Sequence, residues 1–179
     1  VGRAIAEALA RQGAAVAVND LVGARARDVA ESIMKAGGRA LAVPGDVTDL
    51  EAVKAMVGET EAALGPVDVL VSNAGNSGAT RAIPTQFVTM DPKDWSKYVD
   101  INFYAVLNGI HAVLPGMCAR RFGRIITIAS DAGRQGLAMG MSIYSGGKAA
   151  AMGFQRSLAC EVGPMQVTVN TVSLGMRSE

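Results

Sequence analysis

The segment RIITIAS at residues 124–130 is an apolar, β-branched run that ends in Ser130. Such a run, between two helical patterns, predicts a strand, and we place this strand at Arg124 to Ala129. Helical spacing then covers about Ile143 to Glu161, and a further apolar run covers Val167 to Val172. Strand, helix and strand in this order predict a right-handed parallel crossover, the unit of α/β proteins.

The same alternation runs through the rest of the chain. Short apolar runs predict strands at residues 14–18, 40–43 and 67–71. The first of these is flanked by helical patterns, so we expect it to be buried on both faces. Helical spacing predicts helices that start near Ala4, near Ala26, at a cap formed by Thr48 or Asp49, and at Asp91-Pro92. The last of these reaches about Arg120, unless Pro115-Gly116 kinks it or ends it early. Residues 75–90 and 131–142 are predicted loops.

This pattern predicts a doubly wound, Rossmann-like parallel sheet in a three-layer αβα arrangement, formed by residues 1–179 as a single domain. The charges nearly cancel, since 17 Lys and Arg stand against 16 Asp and Glu, for a net charge of +1. This balance argues against a nucleic-acid-binding protein and gives no electrostatic basis for binding a membrane surface. The sequence contains no uninterrupted apolar run of about 18 residues, the length of a membrane span.

The numbers of cysteines and histidines limit which kinds of disulfide or metal site the chain can form. The chain has two cysteines, Cys118 and Cys160, in no C-x-x-C motif, and one histidine, His111. Neither a disulfide framework nor a histidine-rich metal site is therefore expected, and we predict no metal. A reducing, cytoplasmic environment is the expectation.

Tyr144 and Lys148 form the strongest chemical signal. Residues four apart at the start of a helix lie on the same face. A phenol works as an acid or base when a neighbouring group stabilises its anion, and an ammonium does this. The alternative interpretation is an ordinary surface Tyr and Lys.

Other polar residues lie where the predicted strands end. Ser130 follows one strand directly, and Asn73-Ala74-Gly75 follows another. Ligands of open α/β sheets bind beyond the carboxyl ends of strands, so these residues are candidates for a site. Asn102 lies within the long predicted helix, where Asn is unfavourable without a specific partner. Its alternative interpretation is a structural polar contact, and Asp131 is expected to be solvated.

In this order and context, these residues resemble the short-chain dehydrogenase/reductases in their single-domain classical form. The resemblance covers almost the whole chain. Val1-Gly2-Arg3 looks like the end of the glycine-rich phosphate motif, Asp46-Val47 like the pair that contacts adenine, and Asn73-Ala74-Gly75 like the N-A-G motif. Four further residues match the catalytic tetrad in order: Asn102, Ser130, Tyr144 and Lys148.

The resemblance implies an enzyme that interconverts a secondary alcohol and a ketone with NAD or NADP. Tyr144 would be the general acid or base, and Lys148 would assist it and bind the nicotinamide ribose. Ser130 would polarise the substrate oxygen, and Asn102 would hold a water of a proton relay. The residues implied to bind cofactor are Gly2, Asp20, Asp46, Val47, Asn73, Ala74, Gly75, Tyr144, Lys148 and Gly175.

Asp20 bears on the choice of cofactor. A carboxylate just after a strand, 18 residues beyond Gly2, can accept hydrogen bonds from ribose hydroxyls and would repel a 2′-phosphate. This favours NAD(H), whereas Arg25 and Arg27 could pair with a phosphate and leave NADP(H) open. A third interpretation makes Asp20 only a cap for the next helix.

The chain also departs from the family pattern. The first strand and the first two glycines of the phosphate loop are absent, as are the substrate-covering helices, so we expect the central portion of a longer protein. Leu174 stands before Gly175 where the family usually has Pro. The alternative to an enzyme is a non-catalytic cofactor-binding member or an inactive fragment of the same fold. By the same resemblance we expect a small-molecule substrate and a homodimer or homotetramer.

Overall fold

In a computed structural model, the described part of the chain comprises residues 1–75, 85–137 and 139–175. The chain divides into two compact units, Val1–Val67 and Asp68–Glu179. Each unit contains one sheet, and both sheets are parallel. Parallel strands that alternate with helices are the predicted α/β class. That residues 1–179 form a single domain stays a prediction.

The first unit contains a two-stranded sheet and three helices. Its strands pair in register, with Val16 opposite Ala40. In chain order the elements are α1 (Gly2–Arg11), β1 (Ala15–Val18), α2 (Gly23–Lys35), β2 (Arg39–Ala42) and α3 (Leu50–Leu64). All five elements were predicted from the sequence, with boundaries that differ by a few residues.

The structure settles one prediction for this unit that was left open and overturns another. Asp49, rather than Thr48, caps α3, because its Oδ1 accepts hydrogen bonds from the backbone N–H groups of Glu51 and Ala52. The prediction that β1 is buried on both faces is wrong, since all its residues are partly exposed. Among the described residues β1 pairs with β2 alone, and its other edge has no strand partner.

The second unit contains a three-stranded sheet in the order β3-β4-β5. Its elements are β3 (Val69–Ser72), α4 (Trp95–Val99), α5 (Ala105–Arg120), β4 (Gly123–Ser130), α6 (Ser142–Val162) and β5 (Val167–Leu174). The central strand β4 carries the core, with Ile125 and Thr127 essentially inaccessible to solvent. Helices α5 and α6 both pack on it, and most of its residues are buried.

The long helix predicted from Asp91-Pro92 to about Arg120 is present, but it is not a regular α-helix throughout. Asp91 caps its start by accepting from Lys93 N at 3.0 Å, and the first turn, Pro92–Asp94, is 3₁₀. A π-helical turn, Asp100–Tyr104, joins α4 to α5. Pro115 lies inside α5, which continues to Arg120 as predicted, so the alternative of an early end at Pro115-Gly116 does not occur.

The predicted loops contain short helical turns. Phe87–Thr89 and Asp131–Gly133 each form a 3₁₀ turn. Residues 76–84 of the first predicted loop and residue 138 of the second lie outside the described residues.

One helical stretch, Pro92–Arg120, is long and apolar enough to cross a bilayer by length and composition. This is weak evidence for a membrane span, because core helices pass the same test. In this structure α5, which forms the larger part of the stretch, packs on β3 and β4.

Candidate active site

Tyr144 and Lys148 lie on the inward face of α6. Their side chains are buried, with residue exposures of 7% and 5%, and the Lys148 Nζ lies 6.0 Å from the centroid of the Tyr144 ring. The alternative of an ordinary surface pair therefore does not fit. A phenol and an ammonium share one buried environment at the start of a helix.

Lys148 reaches from α6 to the carboxyl-terminal part of β4. Its Nζ donates a hydrogen bond to the backbone carbonyl of Ile128 at 3.2 Å. Burial disfavours the charged ammonium and so lowers the pKa of Lys148. Since an ammonium has three donors, one carbonyl uses only part of its capacity.

Asn102 and Lys148 converge on Gly75. Asn102 is fully buried in the π-helical turn and donates from Nδ2 to the carbonyl of Tyr98 at 2.9 Å. A Cβ at Gly75 would lie 2.8 Å from Lys148 Nζ and 3.1 Å from Asn102 Oδ1. The segment after β3 therefore comes close to both polar side chains because residue 75 has no side chain.

Gly147 likewise allows a close approach, here between α6 and its neighbouring helical segment. A Cβ there would lie 3.2 Å from the Cβ of Asn102 and 3.5 Å from the carbonyl oxygen of Tyr98. The helix with Tyr144 and Lys148 thus packs directly against the π-helical turn.

Ser130 ends β4 and caps the turn that follows. Its Oγ accepts a hydrogen bond from Ala132 N at 3.2 Å. Because the oxygen is the acceptor in this bond, the hydroxyl hydrogen can still be donated elsewhere. Within the same turn, a Cβ at Gly133 would lie 3.0 Å from Ala149 N, so the turn that follows Ser130 packs against α6 next to Lys148.

The remaining candidates of the second unit lie at strand ends. Asn73 and Ala74 follow β3 directly, and Gly175 follows β5. All four predicted catalytic residues and these strand-end residues belong to the second unit, and the contacts above join Asn102, Lys148 and Gly75 in one cluster.

In the first unit, Gly2 begins α1 and Asp20 follows β1. The Asp20 Oδ1 accepts from Val22 N at 2.8 Å and lies 3.8 Å from the Arg25 guanidinium. The carboxylate therefore orders the turn before α2 and has a cation beside it. It does not cap the helix, because the N-cap residue is Val22 and no side chain accepts from the first helical turn.

Asp46 and Val47 belong to the turn between β2 and α3. The Asp46 Oδ1 accepts from the backbone N–H of Thr48 at 2.8 Å and from its hydroxyl at 2.7 Å. Gly45 N donates to the carbonyl of Asp20 at 3.3 Å, so Asp20 and Asp46 lie at the same edge of the first sheet. Across residues 1–75, 85–137 and 139–175, no group of three His, Cys, Asp or Glu residues could hold a metal ion.

Two residues near this site were not predicted. Asp131 was expected to be solvated, but its carboxylate accepts a hydrogen bond from Ser173 Oγ at 2.7 Å. Gln155 is buried and joins α6 to both neighbouring strands, since it donates to Thr127 Oγ1 and accepts from Thr171 Oγ1. Its position seven residues after Lys148, on the same helical face, was the available signal.

Comparisons with known proteins agree with this architecture. Residues 1–178 match the family model described as short chain dehydrogenase. Nodulation protein G of Azospirillum brasilense is 40% identical over 176 residues, which is 98% of this chain and 69% of that protein.

Two solved structures are also similar. One is a metagenomic short-chain oxidoreductase in complex with NADP, with a TM-score of 0.89, 33% identity, and coverage of 98% of this chain and 77% of that one. The other is a 3-oxoacyl-[acyl-carrier protein] reductase from Brucella melitensis with bound NAD, with a TM-score of 0.89, 35% identity, and coverage of 97% and 66%. These similarities confirm the predicted Rossmann-like fold class, and the chain belongs to the short-chain dehydrogenase family.

Proposed function

We propose that this chain contains the catalytic centre of an NAD(P)-dependent oxidoreductase that interconverts a secondary alcohol and a ketone. The observation that carries the proposal is the buried pair of Tyr144 and Lys148 on one face of α6, beside the carboxyl-terminal part of β4. A buried phenol beside a buried ammonium suits proton transfer to and from a substrate oxygen.

The residues present fit a nicotinamide nucleotide. Lys148 has donor capacity beyond its bond to Ile128, and Gly75 keeps a side chain away from the ammonium. These features suit the hydroxyl groups of a ribose. When bound, the cofactor supplies or accepts the hydride, and the protein supplies position and electrostatics.

Tyr144 acts as the general acid in ketone reduction and as the general base in alcohol oxidation. In reduction the phenol donates its proton to the substrate oxygen as that oxygen becomes an alcohol. The Lys148 ammonium stabilises the phenolate that remains. Ser130 donates its hydroxyl hydrogen to the same substrate oxygen and orients it.

Asn102 supports Lys148 from the π-helical turn. Its Oδ1 points at the same backbone position, Gly75, as the ammonium. We propose that it holds a water that joins Lys148 to a proton relay, so that Tyr144 is reprotonated between turnovers.

The cofactor-binding residues of the first unit are assigned in the same proposal. Gly2 begins a helix whose N-terminus suits the pyrophosphate, and Asp46-Val47 suits the adenine. Asp20 favours NAD(H), since its carboxylate would repel a 2′-phosphate. Arg25, 3.8 Å away, weakens that repulsion, so NADP(H) is the second candidate.

The proposal extends to the substrate class, the cellular location and the oligomeric state. We propose a small-molecule substrate, a cytoplasmic enzyme and a homodimer or homotetramer. The chain spans about two thirds of the length of the relatives above, so the activity of the whole protein is part of the proposal.

The experiment is a turnover assay with NADH and NADPH and a panel of 3-oxoacyl thioesters, cyclic ketones and sugar-like ketones, with Asp20→Ala as the cofactor-choice variant. We expect oxidation of NADH by at least one ketone and a smaller difference between the two cofactors in the variant. Nucleotide binding without any turnover would favour the non-catalytic alternative. An unchanged ratio in Asp20→Ala would remove the argument for NAD(H).

A further inference from the structure

The end of β5 is attached to the turn after β4 by one carboxylate. Ser173 Oγ donates to Asp131 Oδ1 at 2.7 Å. Arg134 Nη1 lies 3.6 Å from the same oxygen, but its side chain is mostly exposed, so this ion pair contributes little. The hydrogen bond to Ser173 is the contact that joins two elements.

The turn that bears Asp131 is itself rigidly placed. The carbonyl of Asp131 accepts from Arg134 N and Gln135 N, each at 2.8 Å. Gly133 packs against the backbone of α6 at Lys148 and Ala149, where a Cβ would be 3.0 to 3.1 Å from backbone atoms. The carboxylate is therefore held in a fixed position relative to Lys148.

The second oxygen of Asp131 faces Gly175. A Cβ at residue 175 would lie 2.8 Å from Oδ2. The backbone at Gly175 thus passes against the carboxylate, in the space that a side chain would fill. One oxygen binds Ser173 and the other packs on Gly175, so both face the end of β5.

Gly175 lies just beyond the paired part of β5. The ladder between β4 and β5 ends at the pair Ser130–Leu174. Val172 and Leu174 are 46% and 41% exposed, and a leucine leaves φ unrestricted where a proline would fix it. The contacts of Asp131 with Ser173 and Gly175 therefore help to place Gly175.

We propose that Asp131 is a positioning residue that sets the place of Gly175 relative to Ser130 in the nucleotide site. This inference rests on the proposed function, which assigns Gly175 to the cofactor. Asp131 itself transfers no proton, and it acts through the hydroxyl of Ser173 and the backbone at Gly175.

The test compares two substitutions, Ser173→Thr and Ser173→Val. The two new side chains have nearly the same shape, but Thr carries a hydroxyl where Val carries a methyl group. We expect hydrogen exchange of the amides at residues 173–175 to accelerate roughly tenfold in Ser173→Val, as expected for loss of a charge-assisted hydrogen bond, and to stay near native in Ser173→Thr. Asp131→Ala should behave like Ser173→Val, whereas Asp131→Asn keeps an acceptor oxygen and should exchange slowly. Equal exchange in the Thr and Val variants would overturn the proposal.

NADH titration of the same variants separates a positioning role from a merely structural contact. We expect several-fold weaker binding in Ser173→Val and Asp131→Ala at a temperature where both are folded, with Ser173→Thr near native. Faster exchange with unchanged NADH affinity would also overturn the positioning role. A native chain that binds no nicotinamide nucleotide would instead contradict the proposed function, and the exchange experiment would still decide whether Asp131 holds the end of β5.

Discussion

The two halves of α6 each bury a polar side chain against β4, and the two side chains differ in how their hydrogen bonds are satisfied. Gln155, in the second half, donates to Thr127 and accepts from Thr171, so its amide joins three elements of the fold. Lys148, in the first half, donates to one backbone carbonyl and carries a charge that burial disfavours. A buried polar group that is matched inside the protein stabilises the fold, whereas one with spare donors and a desolvated charge indicates a site for a ligand.

The largest expected effect is on catalysis at the Lys148 end of the helix. Tyr144→Phe should reduce kcat roughly 10³-fold, within the range for loss of a general acid or base. NADH affinity should stay within a few-fold, because the lost hydroxyl acts in the chemical step. Turnover and NADH titration measure the two quantities, and comparable losses in both would contradict the assignment.

The next effect is on stability at the Gln155 end. Gln155→Leu should lower the free energy of unfolding by about 2 kcal/mol, because the buried hydroxyl of Thr127 loses its bond to the amide, whereas the exposed Thr171 can bond to water. Urea denaturation measures this loss. Thr171→Val, which removes one partner only, is the matched variant and should cost less. If Gln155→Leu is as stable as the native chain, the amide does not hold the three elements together.

A third effect concerns pH. Burial lowers the pKa of Lys148 in the folded state, so between that value and the ordinary lysine pKa of about 10.4 the unfolded chain binds more protons. The free energy of unfolding contributed by this group therefore rises with pH in that window. Lys148→Met should lack this rise when compared with the native chain by urea denaturation at several pH values. Parallel curves for the two proteins would mean that the ammonium is not desolvated.

The smallest expected effect is a difference in stability between alanine substitutions at two neighbouring glycines of α6. Gly146 is exposed, and a Cβ added there would have no atom within 4 Å, so Gly146→Ala should stabilise the helix by up to about 1 kcal/mol. Gly147→Ala should gain nothing, because its Cβ would lie 3.2 Å from the Cβ of Asn102. Thermal unfolding of the two variants gives the comparison, and equal gains would show that α6 and the π-helical turn can move apart freely.

Much of this architecture could be predicted from the sequence. The buried strand RIITIAS and the helix after it follow from periodicity, because a core strand and a helix bury different spacings of apolar residues. The irregular joint between α4 and α5 could not be predicted, since a π-helical turn has no simple sequence pattern.

The residues of the candidate site also divide into those that could be predicted from the sequence and those that could not. Tyr144, Lys148 and Ser130 could be identified because they fall at element ends with a recognisable spacing. The contacts of Asp131 with Ser173 and Gly175 could not, because they join residues about 42 positions apart through the register of β4 and β5, which sequence patterns leave open.

The most direct test of these assignments is an NADH fluorescence titration of three proteins: the native chain, Lys148→Met and Gln155→Leu. All three are measured under conditions where each is folded. We predict saturable binding by the native chain, a loss of affinity of roughly tenfold or more in Lys148→Met, as expected when a charged hydrogen-bond donor is removed, and near-native affinity in Gln155→Leu. No binding by the native chain, or equal affinities in the two variants, would contradict the claim that the Lys148 end of α6 is the nucleotide site and the Gln155 end is structural.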